Sequence, residues 1–218
     1  MLLYRYFCLE HAVSCVEEHR LKVGRLAELN DPYDCFPRVV NLPLESKGFG
    51  LGFSQGMLNS WSNKFGIICY SAIVNDPVLW SHYSSGHRGI ALGFDIPENV
   101  VVEVTYSDQR PELDFASFNV STPDEASHFA KSVMTRIFSV KAASWSYEKE
   151  YRQFPFLESC VPTRGMYFIG MPVLKRVVIG ARCDMDQSYF DHLLRRCGYK
   201  DVNVLKAARS PTSYKIEA

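Results

Sequence analysis

The residues best suited to chemistry are Glu148-Lys149-Glu150. On a strand, alternate side chains share a face, so the two carboxylates would meet at one place. Like charges held together push their pKa values apart, one carboxyl rising while its neighbour stays ionised. Such a pair suits a reaction in which a cation develops and a proton must move. Cleavage of the nicotinamide glycosidic bond is one example, because it passes through an oxocarbenium-like ribose that a nearby carboxylate stabilises. The plain alternative is a pair on a solvated strand edge, with Lys149 and Arg152 at hand to neutralise it.

His82 and His87 flank an aromatic and glycine-containing turn, where a histidine can act as general base or donate to a phosphate near neutral pH. A structural histidine bonded to the turn backbone is the equal alternative. Their spacing does not set both on one helical face, and no cysteine or carboxylate set completes a site, so a metal is not expected. Asn30-Asp31-Pro32 forms a turn in which Asn30 and Asp31 bond local backbone. Beyond it, Tyr33 could offer a face on which a nicotinamide or a base stacks, with Asp34 ordering the loop. Trp61, Trp80 and Trp145 are expected chiefly in the core, Trp80 and Trp145 being the better pocket candidates. The Walker loop, the dinucleotide Gly-x-Gly-x-x-Gly fingerprint, the Gly-x-Ser-x-Gly elbow and the kinase set are all missing, which withdraws the usual support for those chemistries.

Three segments together resemble a bacterial family named domain of unknown function 2971: Asn30-Asp31-Pro32-Tyr33-Asp34, Trp80-Ser81-His82-Tyr83 with Gly86-His87-x-Gly89, and Trp145-x-Tyr147-Glu148-x-Glu150-Tyr151-Arg152. That family name implies no mechanism. The Glu-x-Glu segment is also similar to the third motif of the arginine-type ADP-ribosyltransferases, whose first motif is an Arg on the opening strand and whose second centres on a Ser. Arg5 and Ser71 stand in the matching chain order, although the fuller Ser-Thr-Ser form is missing and Tyr4 stands where a histidine-type transferase has His. The resemblance implies NAD as substrate and an ADP-ribosyltransferase-like fold. It gives Arg5 the NAD phosphate or ribose, for which a guanidinium fork is suited. Ser71 would order the site, Glu150 would stabilise the ribosyl cation, and Glu148 would position or deprotonate an acceptor. His82 joins the catalytic candidates, and Tyr33 and Tyr83 join the NAD-contacting ones. The scheme makes one geometric demand, that Arg5 and Glu150 reach the cleft from the same face of the sheet; on opposite faces, the convergence it needs fails.

The elements that must position these residues follow from hydrophobic pattern. Strands are expected at Leu2 to Phe7, Leu21 to Gly24, Phe65 to Ala72, Gly89 to Asp95, Val100 to Tyr106, Glu148 to Phe156 and Leu174 to Gly180. Helices are expected at Leu9 to Arg20, Asp76 to Tyr83, Pro123 to Phe138 behind a cap-like start, and Met185 to Cys197 ending at Gly198. The glycine-interleaved run from Pro43 to Ser62 suits a loop or a short helix over a pocket. Strands interspersed irregularly with helices give an α+β fold, a single domain over 1–218 with a mixed or mainly antiparallel sheet, and 206–218 either a tail or a last edge strand.

Composition sets the outer bounds. At 47% hydrophobic and 22% charged residues, the chain is too apolar to be disordered and too charged to be fibrous or membrane-embedded. Twenty-four basic residues balance twenty-four acidic ones, so net charge gives no support to nucleic-acid or anionic-lipid binding. Apolar runs such as Phe65 to Tyr70 are far shorter than the roughly twenty residues that cross a bilayer. The N-terminus lacks a secretory pattern, and seven scattered cysteines without a Cys-x-x-Cys pair read mostly as buried thiols, so a cytoplasmic protein is expected.

The first functional reading is an ADP-ribosyltransferase or NAD glycohydrolase, a toxin or defence effector, with NAD as its nucleotide substrate and an unidentified acceptor. The second is a non-catalytic module that binds a protein or nucleotide. A metal-dependent nuclease or hydrolase using Glu148, Glu150 and the histidines comes third, since no ligand spacing marks a site.

Overall fold

Strand β1 (Leu2–Phe7) divides its side chains by alternation: Leu3 and Phe7 join one apolar core, while Tyr4 and Tyr6 join another. The following helix, α1 (Leu9–Glu18), covers the first of these cores with Ala12, Cys15 and Val16, spaced at one helical face. It ends at His19, whose φ of 51° turns the chain and lets its N–H bond the Cys15 carbonyl. The structure, a computed structural model, describes residues 1–42, 50–114, 116, 132 and 135–217.

The chain continues through β2 (Arg20–Arg25), β3 (Arg38–Val40), α2 (Gly50–Ser62), β4 (Gly66–Ser71), α3 (Pro77–Tyr83) and β5 (Ile90–Asp95). Short strands follow: β6 (Val102–Glu103), β7 (Thr105–Ser107), β8 (Glu112–Asp114), β9 (Val140–Ala142) and β10 (Glu150–Gln153). The last part holds β11 (Val161–Thr163), β12 (Met166–Gly170), β13 (Val173–Ile179), α4 (Gln187–Arg196), β14 (Asn203–Lys206), β15 (Ala208–Arg209) and β16 (Ile216–Glu217).

Among the described residues the main sheet has ten strands, in the order β11-β12-β2-β4-β1-β5-β13-β14, with β10 paired to β4 and β6 paired to β10. Its pairings are antiparallel except for β13 with β14, which are parallel and joined through α4. The protein is therefore α+β, with a mixed and mainly antiparallel sheet in a single domain. Helices α1 and α4 cover one face, where Leu3, Ile68, Leu92, Val177 and Phe190 form the largest core. The other face carries two smaller cores: Tyr4, Ala91 and Val178 with Trp80 of α3, and Ile67, Phe65 and Leu26 with Leu58 of α2. Among the described residues no helix is long and apolar enough to cross a membrane.

One irregularity of the sheet prepares the site. Strands β1 and β2 lie along the same edge of β4 but meet it at opposite ends, Tyr4 opposite Ser71 and Gly24 opposite Ile67. The other edge of β4 is taken by β10 and by the Phe65–Phe156 bridge that continues it. Between their two contacts β1 and β2 part, and the sheet has a slit. Arg5 spans it, donating from Nη1 to the Lys22 carbonyl at 2.8 Å.

Several expected elements change on folding. The strand expected from Glu148 starts only at Glu150, because Lys149 adopts φ 47° and residues Ala143–Glu148 coil into a 3-10 turn. The strand expected from Val100 to Tyr106 breaks in two, since β6 pairs with β10 while β7 pairs with β9. The helix expected over Pro123 to Phe138 falls mostly on 117–131 and 133–134, outside the described residues. Of the run from Pro43 to Ser62, Gly50–Ser62 is helical and 43–49 is outside the described residues. Towards the C-terminus, β15 and β16 pair as a last antiparallel ribbon.

Candidate functional site

Between the two smaller cores, the second face of the sheet is polar. Antiparallel partners share a face, so Ser71, its partner Glu150 on β10 and its other partner Tyr4 project together, as do Cys69 and Arg152. The 3-10 turn adds Glu148 from above, β9 adds Lys141, and the turn after Pro32 adds Asp34. These five charged residues are almost completely buried, from 0% exposure at Arg152 to 6% at Lys141.

Their geometry is close to saturated. Arg152 forks onto Asp34, Nη1 to Oδ1 and Nη2 to Oδ2 both at 2.7 Å, and onto Glu150, Nε to Oε1 at 2.8 Å and Nη2 to Oε2 at 2.9 Å. Its Nη1 also donates to the Phe138 carbonyl at 2.6 Å. Lys141 Nζ reaches Glu148 Oε2 at 2.5 Å, Glu150 Oε2 at 3.1 Å and Asp34 Oδ2 at 3.8 Å. Fully ionised, the cluster sets three carboxylates against two cations and carries one net negative charge. The Ser71 hydroxyl donates to the Glu148 carbonyl at 2.5 Å, and the Tyr106 hydroxyl accepts from the Glu150 N–H at 2.8 Å.

The two glutamates titrate in opposite directions. Burial raises the Glu148 carboxyl above its usual range, and neither Lys141 nor the Tyr83 hydroxyl, which donates to Oε1 at 2.6 Å, cancels that effect. Burial acts on Glu150 too, but there the Arg152 guanidinium and the Lys141 ammonium prevail and hold its carboxyl well below the ordinary value. Lys141, despite burial, is kept protonated by Glu150, Glu148 and Asp34. Burial and the Glu148 carboxylate push the Tyr83 phenol up. The surroundings thus separate the acidities of the two carboxyls, Glu148 being the one that holds its proton more tightly.

A cavity of about 340 Å³ opens over this cluster, lined by Asp34, Ser71, Tyr83, Lys141, Glu148 and Glu150. A larger one, about 820 Å³, lies at the mouth of the slit, lined by Arg5, His11, Arg20, Lys22, His82 and Arg164 among others. The two share Arg5, Tyr6 and Tyr83 as walls.

Of the residues singled out in the sequence, Glu148, Glu150, Ser71 and Tyr83 meet at the smaller cavity, and Arg5 forms part of its wall. The glutamates converge for a different reason than strand alternation: the left-handed Lys149 swings Glu148 back over the start of β10. Nor do they lie on a solvated edge, and Lys149 itself is exposed while Arg152 is the neutralising partner. Arg5 is the main correction. Because Tyr4 shares a face with Ser71 and Glu150, its neighbour Arg5 projects from the opposite face, where its guanidinium lies 5.3 Å from the Phe7 ring. The demand that Arg5 and Glu150 approach from one face is not met.

His82 is exposed at the rim of the larger cavity, its Nδ1 3.3 Å from the Tyr147 hydroxyl, and it does not touch the glutamates. Tyr33 is 63% exposed beneath Arg110 and lines neither cavity, so it is no stacking platform there. Trp80 is fully buried and donates to the Val74 carbonyl at 2.7 Å, a core role. His87 turns the chain at φ 68° and stacks on Trp80. Trp145 donates to Asp31 Oδ2 at 2.9 Å and lies under Lys141 Nζ at 4.9 Å, packing behind the cluster.

Lys141 and the charge role of Asp34 had no clear sequence signal. Lys141 sits in Val140-Lys141-Ala142, where a lysine amid apolar residues is the one faint indication of a buried cation. Among the described residues no group of three or more His, Cys, Asp or Glu side chains is arranged to hold a metal ion.

Fold and site define an α+β protein with a buried ion cluster at the floor of a cleft. Residues 79–153 match the model of a family described as a protein of unknown function (DUF2971). That stretch runs from α3 to β10 and carries Tyr83, Lys141, Glu148, Glu150 and Arg152. No curated protein and no solved structure matches the chain.

Proposed function

We propose that this protein is an enzyme that cleaves the nicotinamide–ribose bond of NAD, as a glycohydrolase or an ADP-ribosyltransferase, through Glu148 as its acid–base group and not through the convergence of Arg5 and Glu150, which lie on opposite faces of the sheet. The observation that carries this reading is the Glu148 carboxyl: raised in pKa by burial, bonded to Tyr83 and Lys141, and facing a cavity. Glu150, to which the ADP-ribosyltransferase resemblance gave the ribosyl cation, is taken up by Arg152 and Lys141 and supplies negative potential instead.

In the reaction, the glycosidic C–N bond breaks with its electron pair going to the pyridinium ring, so nicotinamide leaves neutral. The ionised Glu148 faces the cationic ribose and takes the proton of the attacking water or acceptor hydroxyl. With water, the products are ADP-ribose, nicotinamide and a proton. The cytoplasm is the setting this reading assumes.

The test is to incubate pure protein with NAD and follow nicotinamide by chromatography beside Glu148→Gln. Release by the wild type, falling about 100-fold or more in the variant, is the expected result. Binding of NAD without release would instead favour a nucleotide-binding module, a reading supported by the near-complete internal pairing of Glu150 and Asp34. Neither release nor binding would overturn both.

A further inference from the structure

We propose that the larger cavity, at the mouth of the slit, is a pyrophosphate site formed by Lys22 and Arg164 with Arg5 at its inner end. Its lining carries Arg5, Arg20, Lys22 and Arg164 against one carboxylate, Glu18, in a chain whose total charge is balanced. Arg20 is already committed: it pairs with Glu18, donates to Thr163 Oγ1 at 3.2 Å and lies 3.7 Å over the Phe168 ring. Among the described residues, Arg5, Lys22 and Arg164 have no ion-pair partner. Three uncompensated cations around one concavity attract an anion with several charged oxygens, and guanidinium forks fit phosphate oxygens in pairs.

The backbone fixes where Arg164 stands. Arg164 and Gly165 form the two-residue turn between β11 and β12, closed by Thr163 opposite Met166, with φ of 50° and 80°. Both central residues of such a turn take positive φ, which favours Asn or Gly at the first place. An arginine there costs about 1–2 kcal/mol of local conformational energy, and it stands at the lip of the cavity.

The chemical class follows from the connection between the cavities. Arg5, bridging the slit to the Lys22 carbonyl, is a wall of both. A dinucleotide whose pyrophosphate rests on Lys22 and Arg164 can pass its ribose by Arg5 and Tyr83 to Glu148. That threading rests on the proposed function; pyrophosphate binding itself does not.

The experiment is calorimetric titration of the pure protein with inorganic pyrophosphate and with ADP-ribose, at low and at physiological salt. Lys22→Gln/Arg164→Asn is run beside it, since Asn is at home in the turn and the double variant should melt no lower than wild type. Saturable binding that weakens with salt, and weakens about tenfold in the double variant, is expected. No binding at low salt, or equal binding by the double variant, would overturn the site. Glu148→Gln should bind pyrophosphate as the wild type does. Retained binding with no nicotinamide release by wild type would discredit the glycosidic chemistry alone, whereas release with unchanged KM in the double variant would discredit the pyrophosphate site alone.

Discussion

The Tyr83 hydroxyl and Glu148 Oε1 are 2.6 Å apart, joined by a hydrogen bond that ties the last residue of α3 to the turn before β10. Because the phenol donates to the ionised carboxylate, it lowers the Glu148 pKa against the rise that burial imposes. Tyr83→Phe removes the donor and should raise that pKa further. The acid limb of nicotinamide release then moves to higher pH, so the loss of kcat, about tenfold at neutral pH, shrinks as pH rises. A role for Tyr83 in packing alone would lower kcat equally at every pH.

Glu148 and Glu150 should respond oppositely to pH in stability as well. A carboxyl raised in the native state holds its proton more tightly there than when unfolded, so its contribution is complete below the ordinary value of about 4.3 and is lost as pH rises through the native value. Glu148 is of this kind, and Glu148→Gln should abolish that decline while costing less than about 1 kcal/mol at neutral pH. Glu150, depressed to about 2, contributes above the ordinary value and loses that contribution as pH falls from there towards 2. Glu150→Gln should therefore cost about 3–5 kcal/mol at neutral pH, leaving Arg152 underpaired, and lose most of that penalty in acid. Urea unfolding of both variants across pH 3 to 8 checks the signs, and parallel curves would refute the assignment.

Arg152 is fully buried and its five donated contacts hold Asp34, Glu150 and the Phe138 carbonyl in one place. Arg152→Met strands two buried carboxylates and should cost about 3–5 kcal/mol by chemical denaturation. Arg152→Lys keeps the charge but cannot fork onto both partners, so it should recover only part of the loss.

How far the sequence could be read depended on whether a feature was local. The expected strands at Leu2 to Phe7 and Gly89 to Asp95 and the expected helix at Asp76 to Tyr83 correspond to β1, β5 and α3 because runs of bulky and apolar residues and the glycines that bound them are local features of the chain. The register that sets Arg5 and Glu150 on opposite faces is not local; it depends on Tyr4 meeting Ser71, across 67 positions of chain whose pairing no periodicity reveals. Glu148 and Glu150 were legible as a pair, but Lys149 at positive φ was not, since lysine gives no sign of a left-handed turn. Lys141 and Asp34 were hidden for the same reason as the slit: burial of a charge is decided by partners distant in sequence.

Gly89 shows that part of the Gly86-His87-x-Gly89 segment is structural. A Cβ built there would stand 1.9 Å from the Phe7 carbonyl oxygen and 2.9 Å from that of Ser84, both backbone atoms that cannot swing aside. Gly89→Ala should destabilise by about 3 kcal/mol or more. Arg88→Ala, one position earlier on an exposed side chain, should stay within about 0.5 kcal/mol. Similar melting temperatures for the two would refute the close approach.

Asp76 sets α3, and through it Tyr83. Its Oδ1 accepts from Val78 N at 2.7 Å and Leu79 N at 3.2 Å, satisfying donors at the start of a seven-residue helix that Pro77 opens. In so short a helix the cap is a large share of local stability. Asp76→Ala should cost about 1 kcal/mol, whereas Asp76→Asn, which caps equally well, should cost little. Since fraying at the cap loosens the bond from Tyr83 to Glu148, Asp76→Ala should also move the acid limb of nicotinamide release upward, in the same direction as Tyr83→Phe but less far. If Asp76→Ala lowers the melting temperature without moving that limb, α3 supports the core around Trp80 and has no hand in tuning Glu148.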